Sequence, residues 1–376
     1  MYKKEKRIGI DAHAIGLKQG GNETYVYGLI RGLSSIEHPE FNYVVFLSEY
    51  VSIPTFLLDN AHFSIVSVSS QPYLRFLRDL PVRTYTEKLN LLHTQYHLPI
   101  ISYCPGIITL HDVSFLRLPK LFPKRIYWKL KISLLYSMKK AKKIITVSHF
   151  SKKEILKFYR IEEKKIEVVY NGISEEFKPI KDVNGAVGVL KKYGITKPYI
   201  LSVSNIQPRK NLQRLIKAFT HLVKNNKNFP YLLVIVGRKL WLYDEIFNEI
   251  RDSNLSERII LTDYVPQQDL VYLYNFAEVF VYPSLYEGFG LPVLEAMACG
   301  CPVITSNISS LPEITNNACL FVDPYNTDAI AKVIQILLTN NLLRIKLKTE
   351  GLKQSKKFSW KRTAEETVKI YEKVFL

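Results

Sequence analysis

Two glutamates, Glu287 and Glu295, stand with seven residues between them in SLYEGFGLPVLEAMACGCPVI (284–304), a stretch otherwise apolar and punctuated by glycine and proline. Gly288 and Gly290 let the chain pass close to a ligand, Pro292 suits the first position of a helix, and Gly300 suits the residue after its end. The stretch therefore reads as a strand end, a tight loop and a short helix whose N-terminal N–H groups and dipole favour a phosphate. On this reading Glu287 precedes the helix and Glu295 lies in its first turn. Carboxylates are poor phosphate ligands but good acceptors for vicinal hydroxyls, such as those of a sugar or a ribose. The positive charge a diphosphate requires is offered by Arg209 and Lys210, in the loop SNIQPRKN.

The elements that must position these residues follow from the apolar runs. Segments such as RIGIDA, YVVFLS, IITLHD and IEVVYNG, and later YILSVS, YLLVIVG, VFVYPS and CLFVD, alternate with helical patterns. Strands apolar on both faces that alternate with helices predict parallel sheets covered by helices. Ser151 with Glu154 three residues later predicts a capped helix start. A length of 376 residues suits two domains. We place them at 1–178 and 197–358, with the Pro-, Gly- and charge-containing segment 179–196 as linker. Ligands of such sheets sit beyond the carboxyl ends of the strands, which selects GLKQGGNET, HDVSF, SNIQPRKN, TDYVP and SLYEGFG.

Composition narrows the function classes. The chain is 47% hydrophobic and 23% charged, a globular balance. Its start, MYKKEKRIGIDA, lacks the apolar core of a signal peptide, and no apolar run approaches the roughly 18 residues of a membrane span, so the expected location is the cytoplasm. Cys104, Cys299, Cys301 and Cys319 form no zinc spacing, and for the C-x-C of Cys299 and Cys301 small buried thiols are the expectation. Net charge is +18, and between Val113 and Lys153 twelve Lys/Arg stand with no Asp or Glu. Within that segment the helix pattern of 124–143 places Ile126, Tyr127, Leu130, Leu134 and Leu135 near one stripe with lysines around it, a pattern suited to an anionic membrane surface. A solvated lysine-rich helix is the competing reading, and nucleic acid, which rests on net charge alone, is not expected as a partner.

The motif EGFGLPVLE with AMACGCPVI, the upstream PRKNL, TDYVP, LFVDPYN, and the first-half echoes GGNETYV, ITLHDVSF and VVYNGI together resemble the retaining GT-B glycosyltransferases of family 4, also called glycosyltransferase group 1. The resemblance spans the chain, including FSWKRTAEETVKIYE, which is similar to the family's final helix that returns to the first domain. It implies a GT-B fold, two Rossmann-like domains facing a central cleft, with helix 359–376 packed on the first. Carried over by position, Glu287 holds donor-sugar hydroxyls, Glu295 the ribose, and Arg209 and Lys210 the diphosphate. Tyr264 and Val265 frame the base, and Asn205, Gly288, Phe289, Gly290 and Leu291 complete the donor side. His111 touches the reacting sugar and acceptor, and Gly20 and Gly21 bring N–H groups near the diphosphate.

The implied activity is transfer of a hexose, with retention, from a nucleotide-diphosphate sugar to a saccharide or lipid-linked acceptor. RKLWLYDEIF resembles mannosyltransferase-like members and tilts the donor towards GDP-mannose. No cofactor or metal is expected, and no D-x-D triplet occurs. The basic helix implies a peripheral enzyme on the inner face of a membrane. A silent sugar-nucleotide or polyanion binder and a GT-B epimerase are the alternatives, and the glutamate pair could instead be structural, one of them on a helix dipole.

Overall fold

Short apolar runs bounded by polar loops bury both faces only as inner strands of a covered parallel sheet. The computed structural model describes residues 5–17, 20–38, 40–49, 51–58 and 60–376 and contains two such sheets. The first is built from β1 (Lys6–Asp11), β2 (Phe41–Ser48), β3 (Phe63–Val68), β4 (Leu91–Gln95), β5 (Gly106–Thr109), β6 (Lys143–Thr146) and β7 (Ile166–Val168), in the order β3-β2-β1-β4-β5-β6-β7. The second holds β8 (Tyr199–Val203), β9 (Leu232–Val236), β10 (Ile259–Leu261), β11 (Val279–Tyr282), β12 (Val303–Ser306) and β13 (Leu320–Val322), in the order β10-β9-β8-β11-β12-β13. Every pairing between these strands is parallel. Both sheets are Rossmann-like, as the alternation predicts. Strand order reverses between β1 and β4 and between β8 and β11, so each sheet opens a crevice at those carboxyl ends. The β8/β11 reversal makes PRKN and EGFG neighbours, although 77 residues separate Lys210 from Glu287.

The chain divides into two compact units, Met1–Leu116 with Lys124–Gly172 and Phe358–Leu376, and Arg117–Pro123 with Ile173–Lys357. Segment 179–196, expected as a linker, carries a helix at Val183–Lys192 that is built into the second unit. Asp182 caps it through the Gly185 N–H and accepts from the Tyr272 hydroxyl, while Lys192 and Tyr193 both reach the Asp269 carboxylate. Its Pro, Gly and charge read as loop because the partners that order it are side chains of a distant helix, Gln267–Phe276.

A second correction concerns the helix at His149–Phe158. Ser148, not Ser151, caps it, accepting from the Ser151 N–H at 3.0 Å. A third concerns the basic helix, Lys124–Lys140. Its sequence stripe faces the protein: Leu134 is buried and Ile126, Tyr127, Leu130 and Leu135 are half-buried, whereas Trp128, Ile132 and Tyr136 are exposed.

The last helix, Trp360–Phe375, is capped by Ser359 and packs on the first helix, Gly21–Ser34, within the first unit. Close approach requires glycine there: a Cβ on Gly28 would lie 2.1 Å from the Trp360 ring, and one on Gly32 would lie 2.2 Å from the Trp360 carbonyl oxygen. Gly32→Ala is expected to lower stability by about 1–3 kcal/mol through overpacking against backbone that cannot turn aside. A urea midpoint unchanged by this substitution would mean that the two helices do not meet there.

Candidate active site

In the second unit the loop after β11 is shaped by hydroxyls from the neighbouring strand and loop. Thr305 Oγ1 donates to Tyr282 O, Ser306 Oγ to Ser284 O, and the buried Ser310 Oγ lies 3.0 Å from the carbonyls of both Glu287 and Phe289. From the other side Asn211, in a left-handed conformation at φ 60°, donates from Nδ2 to Pro283 O and Pro324 O. The Leu285 N–H closes the seam on Arg209 O. A loop held at this many points presents its side chains in one arrangement, which preorganises electrostatics for catalysis.

Within that frame Glu287 is 6% exposed and bound by two cations. Lys210 Nζ lies 2.7 Å from Oε1, and Arg209 Nη1 lies 3.2 Å from Oε2. Lys210 also donates to Tyr282 Oη at 2.7 Å, and Arg209 to Tyr286 O at 2.6 Å. Burial by itself would raise the Glu287 carboxyl; the adjacent Lys210 and Arg209 outweigh it and hold the group at about 2. Two cations against one anion leave a net positive cluster suited to a diphosphate, and a carboxylate retains lone pairs for sugar hydroxyls.

Glu295 has the opposite environment. The helix is Leu291–Ala298, so it begins one residue before Pro292 and places Glu295 in its second turn, where no dipole argument holds it. The side chain is buried, its Oε2 accepting from the buried Tyr274 hydroxyl at 2.8 Å. Burial pushes its carboxyl up to about 7, against the smaller opposing effect of the Tyr274 hydrogen bond. Gly290, at φ 107°, turns the chain into this helix, and a Cβ there would meet Leu311. Gly288 and Phe289 are buried in the same loop, and Leu291 is half-buried.

The remaining donor-side candidates lie on the loops after β8 and β10. Gly237, at φ 145°, lets the segment after β9 approach the Ser204 carbonyl, and Ile206 N–H bonds Arg238 O, which fixes the chain around the half-buried Asn205. The Tyr264 N–H is donated to Asp263 Oδ1 at 2.8 Å, and beside the exposed Tyr264 the Val265 side chain is buried.

The first unit holds the other group. Gly20, at φ 68°, precedes the first helix, and Gly21 begins it with open space around its Cα, where an added Cβ would meet nothing within 4 Å. Lys18 and Gln19 of that loop lie outside the described residues. His111, just beyond β5, is half-buried between Tyr25 and Tyr96, with Nε2 2.8 Å from Gln95 Oε1. Gln95 Nε2 donates to Asn22 O, so its oxygen faces the imidazole and His111 Nε2 carries the proton, leaving Nδ1 as an acceptor. Burial lowers the His111 pKa to about 4 against a smaller upward pull from Asp112, so the ring is neutral at pH 7. Asp112 itself caps the turn at Ser114.

Sequence reasoning missed Tyr282, Tyr274, Asn211, Ser310 and Gln95. Tyrosines inside VFVY and LVYLYNF read as core, and only the apolar-to-polar switch at VYPS marks Tyr282 as a strand end. Cys299, Cys301 and Cys319 are buried free thiols, raised above the ordinary range by burial. Among the described residues no cluster of three His, Cys, Asp or Glu is placed to hold a metal.

Residues 190–354 match the family model described as Glycosyl transferases group 1, and residues 19–177 that described as Glycosyltransferase Family 4. The chain is 35% identical over 318 residues to the O-antigen chain mannosyltransferase B of Escherichia coli, covering 80% of this chain and 82% of that one. It is 34% identical over 233 residues to the serotype-specific mannosyltransferase WbdA of Escherichia coli, covering 61% of this chain and 28% of that longer protein. Among solved structures, Anabaena HepE in complex with UDP and glucose is similar at a TM-score of 0.75 and 17% identity, over 98% of this chain and 99% of that one.

Proposed function

This chain belongs to the glycosyl transferases group 1, and from that membership we propose that it moves mannose from a nucleotide-diphosphate donor to a hydroxyl of a saccharide or lipid-linked acceptor. The observation that carries the proposal is the buried cluster Lys210–Glu287–Arg209 at the β8/β11 reversal, with Glu295 on the helix that follows. The bond between the sugar C1 and the β-phosphate oxygen breaks as a bond from C1 to the acceptor oxygen forms, the acceptor hydroxyl's proton passes to the departing diphosphate oxygen, and configuration at C1 is retained. Lys210 and Arg209 neutralise the charge that develops on the departing diphosphate, and no metal or cofactor is assigned a part. Glu287 keeps those cations in place and accepts from donor-sugar hydroxyls. Glu295 accepts from the ribose, Val265 frames the base, and neutral His111 accepts from a sugar hydroxyl through Nδ1.

Mannose is supported by the names of the two relatives, both mannosyltransferases. Among the described residues no helix is long and apolar enough to cross a membrane. The uninterrupted basic segment supports action at an anionic inner membrane surface.

A thermal-shift panel of UDP, GDP, dTDP, ADP and CMP tests the donor side, since a ligand that binds the folded state raises its midpoint. The expected result is a shift with GDP that is lost in Glu295→Ala. A shift with another diphosphate alone overturns the base. No shift with any overturns the donor site and leaves, of the silent alternatives, the polyanion binder. Sugar isomerised without acceptor would reveal an epimerase.

A further inference from the structure

The first unit carries an exposed apolar surface that extends beyond the basic helix, and we propose that this composite face of four elements docks onto an anionic lipid bilayer. The inference rests on the membrane part of the proposed function and changes which residues do the work. The outward line of the basic helix is Trp128, Ile132 and Tyr136, one turn apart, with Trp128 55% and Ile132 67% exposed. Tyr136 Oη and Lys140 Nζ both donate to Ile100 O, which joins this helix to the loop after β4. In that loop Ile100, Ile101 and Tyr103 are exposed. The Tyr103 ring lies 5.3 Å from that of Tyr85, itself exposed on the helix Leu80–Thr86, and Lys129 Nζ lies 5.9 Å from the ring of exposed Tyr73. One contact thus follows another from Tyr73 to Tyr85 through the helix and loop.

Exposed apolar side chains grouped in this way and rimmed by basic residues mark an interaction site. Charge selects the partner. Lys124, Arg125, Lys129 and Lys139 are exposed on the same helix, and no acidic residue occurs between Val113 and Lys153. Tryptophan and tyrosine favour the headgroup level of a bilayer, lysines snorkel to phosphates beside them, and isoleucine gains only from the acyl boundary. A nucleic-acid backbone would use the lysines and leave the isoleucines in water. A second copy of the same face would bring like charges together.

Flotation of the full chain with vesicles of phosphatidylcholine, alone or with about 30 mol% phosphatidylglycerol, tests the proposal. We expect salt-sensitive binding to the anionic vesicles only. The triple variant Tyr103→Ser, Trp128→Ser, Ile132→Ser should partition about tenfold less or weaker still. The control Leu342→Ser, Ile345→Ser, which removes exposed apolar residues of the second unit, should bind as the unaltered chain does. Circular dichroism melts confirm that both variants fold. If the unaltered chain binds neither vesicle, the membrane reading and this inference both fall. If it binds and the folded triple variant binds equally, lysines suffice and the composite face is overturned. Salt-sensitive binding to an oligonucleotide, with none to vesicles, overturns it in favour of nucleic acid. The nucleotide panel is independent of all these outcomes.

Discussion

Lys210→Ala should lower the rate of sugar transfer by about 10²–10³-fold, the usual effect of removing one preorganised donor from a developing anion. The loss should fall mainly on kcat, because Lys210 acts on charge that grows as the diphosphate leaves. The same substitution strips Glu287 of its shorter ion pair, leaving a buried carboxylate with Arg209 at 3.2 Å. Breaking a buried pair by removing one partner costs about 3 kcal/mol or more. The pH dependence separates this structural effect from the catalytic one. Glu287 is depressed from its ordinary 4.5 to about 2, so its contribution to stability is fully present above pH 4.5 and is lost as pH falls towards 2. Without Lys210 its pKa rises, and acid unfolding should begin at higher pH. A variant with unaltered kcat, measured under conditions where its melt shows it folded, would remove Lys210 from the chemistry.

Glu295→Gln should make the protein more stable and the donor site weaker. The carboxyl is raised from its ordinary 4.5 to about 7, so the unfolded chain ionises first as pH rises. Stability from this group is therefore present below pH 4.5, declines between 4.5 and 7, and stays reduced above 7. Glutamine keeps an acceptor for the Tyr274 hydroxyl and removes the charge. Its unfolding free energy should exceed that of the unaltered chain at pH 8, by about 3 kcal/mol at most, and the difference should vanish below pH 4.5. Ribose hydroxyls favour the ionised carboxylate, so nucleotide affinity should fall up to about tenfold per pH unit below 7. The glutamine variant, measured in parallel, removes the nucleotide's own titration from the comparison. Equal pH profiles for the two proteins in calorimetry would take Glu295 out of the ribose site. The gain in stability is what a functional group held against its solvation preference predicts.

Much of the fold was legible because its signals are local. Strands apolar on both faces, such as ILSV and LLVIV, have no exposed alternative in a globular chain, and their alternation with helices dictates parallel pairing. Gly288, Gly290 and the following helix were legible for a similar reason, since a left-handed residue before a helix start is a property of the backbone. Segment 179–196 and the cap at Ser148 were misread where order comes from long-range partners or where two serines compete for one helix start.

The sequence by itself determined that two Rossmann-like sheets form, that Glu287, Arg209 and Lys210 lie on strand-end loops with Glu295 on the helix that follows, and that one helix is surrounded by positive charge. Tertiary structure alone decided what those residues are. Glu287 and Glu295 are the same side chain eight positions apart, yet one is held ionised by Lys210 and Arg209 while the other is pushed towards neutrality beside Tyr274. The strand-order reversal that brings Lys210 to Glu287 is a non-local pairing of β8 with β11, which periodicity cannot encode. Which stripe of the basic helix meets solvent was likewise set by the elements packed against it, because both of its faces are apolar enough to be buried.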